Sequence, residues 1–536
     1  MQLIRHQRTM LFMWCLVFFA ITGCDGLFGN LGEYAFQIPC DDGDQECHGQ
    51  CIPDDQLCCD TNQHLCGSQC IPEDQSCCDE DGAPFGGGEG TSDAPYRICT
   101  ESHFRNIASE KALDAHYRMH SDISFSGSIE PIAALGPDEI ELDEAVSEES
   151  GEVEILIHHD DPFQGTFDGN GYALQSPIIS SSGNPRTGTA IFGHLGQQAK
   201  ISDLTVNAVS FSSNLFSGGL VGYNEGEITD VTLHGTIDEV AGFGAFMGGL
   251  VGVNADEGVI TNCEVEVDLR GTSFLGGLVG VNYGEIENCI ASGDLAAELN
   301  DSLVEQEVSH EDTPLFAGGL AAMNYGPITS SGTTGSVTID VDVDQFEVVV
   351  VAAGGFVGAN GADANVSKSF SAANLVGDIE LPLTSDSPVY LGGLAGISHG
   401  EIANCYATGD ITFESAGFNA AALGGLVGIL APTEVSFGLI SNSYASGFID
   451  SSWLGALSGG AYGGLVGENH YSTIVGSYWD TETSEVEDSD GGTGLSTSDF
   501  ANEDSFGNWN FDDGGTWKMG VAPDGPPRPV LQWQDR

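Results

Sequence analysis

The chain has 536 residues, of which 80 are Asp or Glu against only 13 Lys and Arg, a formal net charge of -67. That balance excludes nucleic acid as a partner, because phosphate contacts need clustered cations, and points to a salty medium or to divalent ions that screen the acidic field. Glycine reaches 75 residues without a collagen period, while apolar side chains still make up 41% of the chain, so a packed core is possible and a disordered chain is not indicated.

Arg5 and Arg8 precede a short apolar stretch from Met10 to Thr22, which is too short and wrongly flanked for an ordinary membrane span. It ends in Ile21-Thr22-Gly23-Cys24, which resembles a bacterial lipobox. The resemblance implies that residues 1–23 are a lipoprotein signal peptide and that Cys24 is lipidated on sulfur. Each acyl CH2 buried in the bilayer would contribute about 0.8 kcal/mol to the anchor. An ordinary signal peptide containing Cys24 is the alternative; both readings place the mature chain outside the cytoplasm, and the first makes the membrane a partner through the lipid. Residues 24–39 read as a spacer.

Residues 40–80 are dense in cysteine, and the spacing repeats every 19 residues, as in CHGQCIPDDQLCCD and CGSQCIPEDQSCCD. Cys40, Cys47, Cys51, Cys58, Cys59, Cys66, Cys70, Cys77, Cys78 and Cys99 form an even set in an exported segment. Such a set reads as disulfides that substitute for a large core. Their connectivity is not legible. A zinc thiolate cluster is the alternative, disfavoured outside the cell and among acidic neighbours. The Cys-Ile-Pro turn resembles receptor-type LDL class A modules, but their acidic calcium cage is not evident, and the fold of this block stays open.

Residues 81–97, rich in glycine, read as a flexible linker. Residues 98–217 read as an N-terminal cap with the first coils of an array, opening with a short helix around Ser109–Tyr117. A repeated unit then begins at Gly218, Gly248, Gly276, Gly318, Gly354, Gly392, Gly424 and Gly463, with steps of 28 to 42 residues. A degenerate unit, AIFGHLGQQAKISDLTV, precedes them, and longer steps carry insertions such as residues 297–312. Glycine turns, β-branched residues and alternating stretches such as VTIDVDVDQFEVVVVA predict short strands.

A unit of this size cannot bury its apolar face alone, so stacking is required. The pattern predicts an all-β fold, a right-handed parallel β-helix with one coil per repeat; eight coils would span about 38 Å at about 4.8 Å each. Leu220, Leu250, Leu278, Leu320, Leu394, Leu426 and Leu465 are expected in one inward column, and Ile228, Ile260, Ile286, Ile328 and Ile402 in another. Asn224, Asn254, Asn282 and Asn324 are expected to form an amide ladder.

GGLVGVNYGEIENCIASGDL and GGLAGISHGEIANCYATGDI resemble the GLUG repeat of bacterial surface proteins. GTFDGNGYAL looks like the cap that precedes such repeats, and GSYWDTETS, GGTGLSTSDF and VLQWQ resemble the family's C-terminal ending, here residues 485–536 after repeats over 218–484. The resemblance covers roughly residues 98–534 through repetition; it departs at Ala321-Ala322, at Ile429-Leu430 and in the insertions. It implies a surface scaffold of adhesin-like type and names no ligand.

Chemistry is sparse. Cys263, Cys289 and Cys405 share one repeat position that carries Ser443 and Ser477 elsewhere; without cationic neighbours they read as small buried residues, with a Cys263–Cys289 bridge between adjacent coils conceivable. His158-His159-Asp160-Asp161 is the most metal-like cluster, although neighbours on a strand point opposite ways and a polar loop is the simpler reading. The acidic runs at 41–46 and 480–492 suit calcium or plain solvation, and neither matches an EF-hand loop. No HExxH, GxSxG or P-loop occurs. Many β-helices cleave polysaccharides, but lyases of that kind need cations, and between Gly218 and Ser484 there are only Arg270 and Lys368. The reading is therefore a non-catalytic, lipid-anchored surface scaffold with a glycan or protein partner and no required cofactor, calcium being possible; a polysaccharide-binding or polysaccharide-cleaving β-helix is the alternative.

Overall fold

The computed structural model describes residues 84–535 apart from 111, 136–139, 144–153, 158, 160, 180–187, 214–215, 240–244, 301–312, 344–347, 382–386, 417–420, 434–436, 451–459 and 521–526, together with Cys78 and four short strands before it. The chain divides into Met1–Cys77 and Cys78–Arg536. In the first unit, Asp44–Cys47 pairs antiparallel with Gln50–Pro53, and Gln63–Cys66 with Gln69–Pro72 in the same register. The 19-residue sequence period is thus a repeated hairpin.

The second unit is a parallel β-helix in which each repeat makes one coil. Its strands lie in three sheets. Strands of the Phe246–Gly248 type form a nine-stranded sheet, and strands of the Val251–Asn254 type form another. Longer strands, such as Glu227–Glu239 and Glu264–Gly271, form the third. The first glycines of all eight repeats stand in register from Gly218 to Gly463. The degenerate unit supplies the ninth coil through Gly188–Thr189 and Phe192–Leu195. The third sheet continues before it through His116–Met119 and Thr166–Asp168.

The predicted columns form. The seven leucines and five isoleucines are completely buried, and each contributes about 1.5–3 kcal/mol of apolar burial. The longer steps leave the register intact because most of their extra residues fall at one corner, between the third sheet and the next Phe-x-Gly strand, as from Asn300 to Thr313. A closing loop there costs little more when it lengthens. Glycine is needed where the first two sheets meet. A side chain at Gly248 would strike the Val251 carbonyl, and one at Gly252 would lie 2.9 Å from the Ser217 nitrogen. On the far side of these sheets Phe216, Phe246, Phe274 and Phe316 stack with ring centroids 4.8–5.6 Å apart, packing with Val253, Val281 and Met323.

Two polar ladders run through the coils. Asn224 donates to Asn254 at 2.7 Å, Asn254 to Asn282 at 2.8 Å, Asn282 to Asn324 at 2.8 Å and Asn324 to Asn360 at 2.9 Å, all fully buried. The second ladder follows a left-handed bend that recurs in register at Asp203, Asp230, Asn262, Asn288, Ser330, Lys368, Asn404, Asn442 and Gly476, with φ between 47° and 56°. Asn, Asp and Gly tolerate that conformation best. The residue after the bend is Cys or Ser in seven coils. The hydroxyls of Ser331, Ser369, Ser443 and Ser477 each donate to the carbonyl two residues earlier and accept an amide N–H from the preceding coil.

The ends differ from the sequence expectation. The N-terminal helix spans Glu101–Glu110, beginning eight residues earlier than expected. Thr100 accepts from the His103 amide, Glu101 pairs with Arg105 at 2.7 Å, and Phe104 and Ile107 close the first coil; residues 112–115 form a turn and 116–119 a strand instead. Within the stretch read as a linker, residues 84–97 are held by Gly86–Arg97 and Glu89–Ala94 backbone hydrogen bonds and by Phe85 stacked on Tyr96 at 4.4 Å. At the other end Trp479 covers Gly464 and donates to the Val486 carbonyl. Residues 497–520 and 527–535 then fold back along the flank. Phe370, Tyr406 and Tyr444 stack outward there, and Phe500, Phe506, Trp509, Trp517 and Leu531 bury them. Tyr444 donates to the Pro529 carbonyl at 2.7 Å and Trp533 to the Lys368 carbonyl at 2.7 Å.

Asn282→Ala removes the donor to Asn324 and the acceptor of Asn254 inside the ladder. Leaving buried amide atoms unmet costs about 1–3 kcal/mol, so the denaturation midpoint should fall; an unchanged midpoint would show that the ladder does not stabilise the stack.

Candidate functional site

With the interior taken up by repeating columns, what varies is outside. The long strands alternate strictly between buried and outward residues. Register therefore converts outward acids into columns: Glu298, Asp340, Asp378 and Glu414 stand on successive coils, with Asp342 and Glu380 beside them, about 4.8 Å apart. Arg270 Nε lies 3.4 Å from the Glu298 carboxylate at one end. Burial raises the Asp340 pKa, and the like charges of Asp378, Glu298 and Asp342 raise it further. Such a face repels anions and attracts cations.

A second outward feature lies at the corner leading into the third sheet. Tyr283 and Tyr325 stack there at 5.1 Å. Two coils near the C-terminal end carry Phe437 and Tyr471, 73% and 94% exposed, each two residues before the paired positions Leu439 and Thr473. No sequence signal marked these rings, because Phe437 and Tyr471 sit in irregular corner segments outside the repeat. Most of the insertion at 297–312 lies outside the described residues; Ala297 and Leu299 are buried on a strand.

The other candidate residues fall as follows. Cys24, Cys40, Cys58, Cys59 and Cys77 lie outside the described residues, and Cys47, Cys51, Cys66 and Cys70 lie on the hairpin strands. Cys78 and Cys99 form a disulfide, a pairing the spacing alone left open. Cys263, Cys289 and Cys405 are buried free thiols, so the conceivable Cys263–Cys289 bridge is not made. Each donates to the carbonyl two residues earlier, at 3.3 Å, the bond that serine makes in other coils. Burial pushes the Cys405 thiol up to about 12 and raises that of Cys289 as well, which leaves both without nucleophilic character.

His158 and Asp160 lie outside the described residues, while His159 sits against His194 of the first repeat-like coil. In the 480–492 run, Asp480 is buried and caps the short helix Thr481–Ser484, accepting from the amides of Glu482 and Thr483 and the Thr497 hydroxyl. Of the 41–46 run only the strand backbone from Asp44 is described. Among the described residues no group of three or more His, Cys, Asp and Glu is arranged to hold a metal ion, and no helix is long and apolar enough to cross a membrane.

Comparison with known proteins agrees with the repeat reading. The GLUG motif model matches residues 271–296 and 387–412. The chain is 30% identical over 212 residues to halomucin of Haloquadratum walsbyi, across 39% of this chain and 2% of halomucin. It is 33% identical over 132 residues to a protein of Evansella cellulosilytica that bears the name Gly-rich membrane protein, across 24% of this chain and 14% of that one. The chain thus spans a small part of both relatives. A Bacteroides ovatus structure assigned as an immunoglobulin A1 protease aligns over 84% of this chain and 96% of that chain, at 19% identity and a TM-score of 0.36, too low to carry an argument.

The raised Asp340 pKa has a definite sign. The folded state holds this proton more tightly than the unfolded state, so the contribution to stability is complete below the unfolded pKa and is lost as pH rises through the folded pKa. Asp340→Asn should therefore raise the unfolding free energy at neutral pH by under about 1 kcal/mol, as for exposed charges. The gain should shrink on acidification and in high salt; a loss of stability at pH 7 would contradict the repulsive column.

Proposed function

Since the chain carries GLUG repeats stacked as a parallel β-helix, we propose that it is an exported, lipid-anchored and non-catalytic scaffold at the cell surface that binds a partner in the manner of an adhesin. The observation that carries this reading is the division of labour within every coil. The inward and corner positions recur from coil to coil, whereas length and charge vary outside, at one corner and on the acidic face. A protein selected for chemistry needs a fixed constellation of acid, base or nucleophile; this one repeats an architecture. The surface-type relatives support an envelope location, and the lipobox-like Ile21-Thr22-Gly23-Cys24 supports anchoring through the lipid.

The acidic columns disfavour an anionic polymer as the direct partner. The exposed rings of Phe437 and Tyr471 on adjacent coils offer flat apolar platforms, which suit the faces of neutral sugars. The scarcity of cations between Gly218 and Ser484 removes the groups a uronate lyase requires, so the cleaving alternative has less support than the binding one.

Cys24→Ala should shift the protein from the membrane fraction to the soluble fraction of fractionated cells; retention would refute lipid anchoring. On an array of neutral and anionic glycans, the wild type should bind without releasing oligosaccharides, and the double variant Phe437→Ala/Tyr471→Ala should lose at least tenfold in affinity. Released oligosaccharides would establish the enzymatic reading instead, and undiminished binding by the double variant would move the site away from these rings.

A further inference from the structure

The column that begins at His194 is apolar from its third member to its eighth and ends at Glu468. In register behind His194 come Tyr223, Val253, Val281, Met323, Ala359 and Ile397. A buried imidazole, 4% exposed, at the head of such a column is not required by the repeat. Its two nitrogens are both engaged. Nε2 lies 3.1 Å from Glu225 Oε2, and Nδ1 lies 3.1 Å from Nδ1 of His159. The ring of Tyr223 stands edge-on against it at 5.3 Å. His159 is brought there by the chain just after it, where the Phe163 amide donates to the His194 carbonyl and Phe163 bridges Leu195.

We propose that His159 and His194 bind a transition-metal ion through their Nδ1 atoms, with Glu225 behind His194 as the carboxylate that orients it. Two nitrogens sharing a tetrahedral ion at about 2.0–2.1 Å are separated by about 3.3–3.4 Å, close to the observed gap. The Glu225 carboxylate holds the proton of His194 on Nε2, which leaves the Nδ1 lone pair aimed at His159; a carboxylate on the far nitrogen is the usual support of a metal-bound histidine. Without metal, His159 supplies the Nδ1 proton between the rings. With metal, that proton moves to its own Nε2, both Nδ1 lone pairs face the ion, and the neutral pair releases no proton.

Imidazole selects copper, nickel and zinc over calcium and magnesium. The acidic surroundings, with Asp256 and Glu257 near Tyr223, favour cation entry. The ion would staple the segment before Phe163 to the first coil that carries the repeat motif.

The test uses the full chain and the metal alone. Calorimetry with Zn2+ in excess Ca2+ should show one site that calcium does not displace, and Cu2+ should give an electron spin resonance spectrum with hyperfine coupling to two nitrogens. His159→Ala and His194→Ala should each abolish the site, and Glu225→Gln should weaken it about 10–100-fold. His159 is only half-buried, so His159→Ala keeps the proposal testable if His194→Ala fails to fold. Zinc affinity and nitrogen coupling unchanged in His159→Ala would overturn it, as would zinc bound only in competition with calcium.

Discussion

The structure depends on one register of hydrogen bonds along its axis, held from the first coil to the last. Every buried feature requires it. A slip of one residue would turn each outward acid of the third sheet inward, part the asparagines from their partners, and leave the amides after the left-handed bends without the serine hydroxyls that receive them. Identical residues stack because identical geometry recurs, so stabilisation by one coil is stabilisation by its neighbours, and the end coils need atypical covers.

That constraint explains what the repeats may and may not change. The glycines where the first two sheets meet are held by backbone approaching backbone. The bend position accepts Asn, Asp, Ser, Lys or Gly, because it demands only a left-handed φ. The following position is Leu204 or Val231 in the first two coils and Cys or Ser in the other seven, where either can donate to the carbonyl two residues back. The corner that carries the insertions is free in length, since it closes outside the ladder. The net charge belongs to the same account: acids confined to outward positions of a regular sheet become like-charge columns, and their repulsion is borne by the buried columns beneath them.

Function follows the distribution of freedom. The asparagines, glycines and thiols of the recurring motif are engaged in holding coils together. In the reading proposed above, recognition falls to residues that the repeat does not need: the acidic columns, the exposed corner rings, and the imidazole pair at the head of the column that begins at His194.

The sequence by itself determined the β-helix, the coil number from Gly218 onward, the leucine and isoleucine columns and the asparagine ladder, because each is a periodic demand that one residue type meets in every coil. It pointed to a packed role for Cys263, Cys289 and Cys405 for the same reason. It did not reach the helix at Glu101–Glu110, the Cys78–Cys99 pairing, the fold-back of residues 497–520 and 527–535 over Phe370, Tyr406 and Tyr444, or the meeting of His159 with His194. These are single events without a period. They join residues distant in the chain, so only the tertiary structure, by bringing the chain's ends and flanks against the stack, decided them.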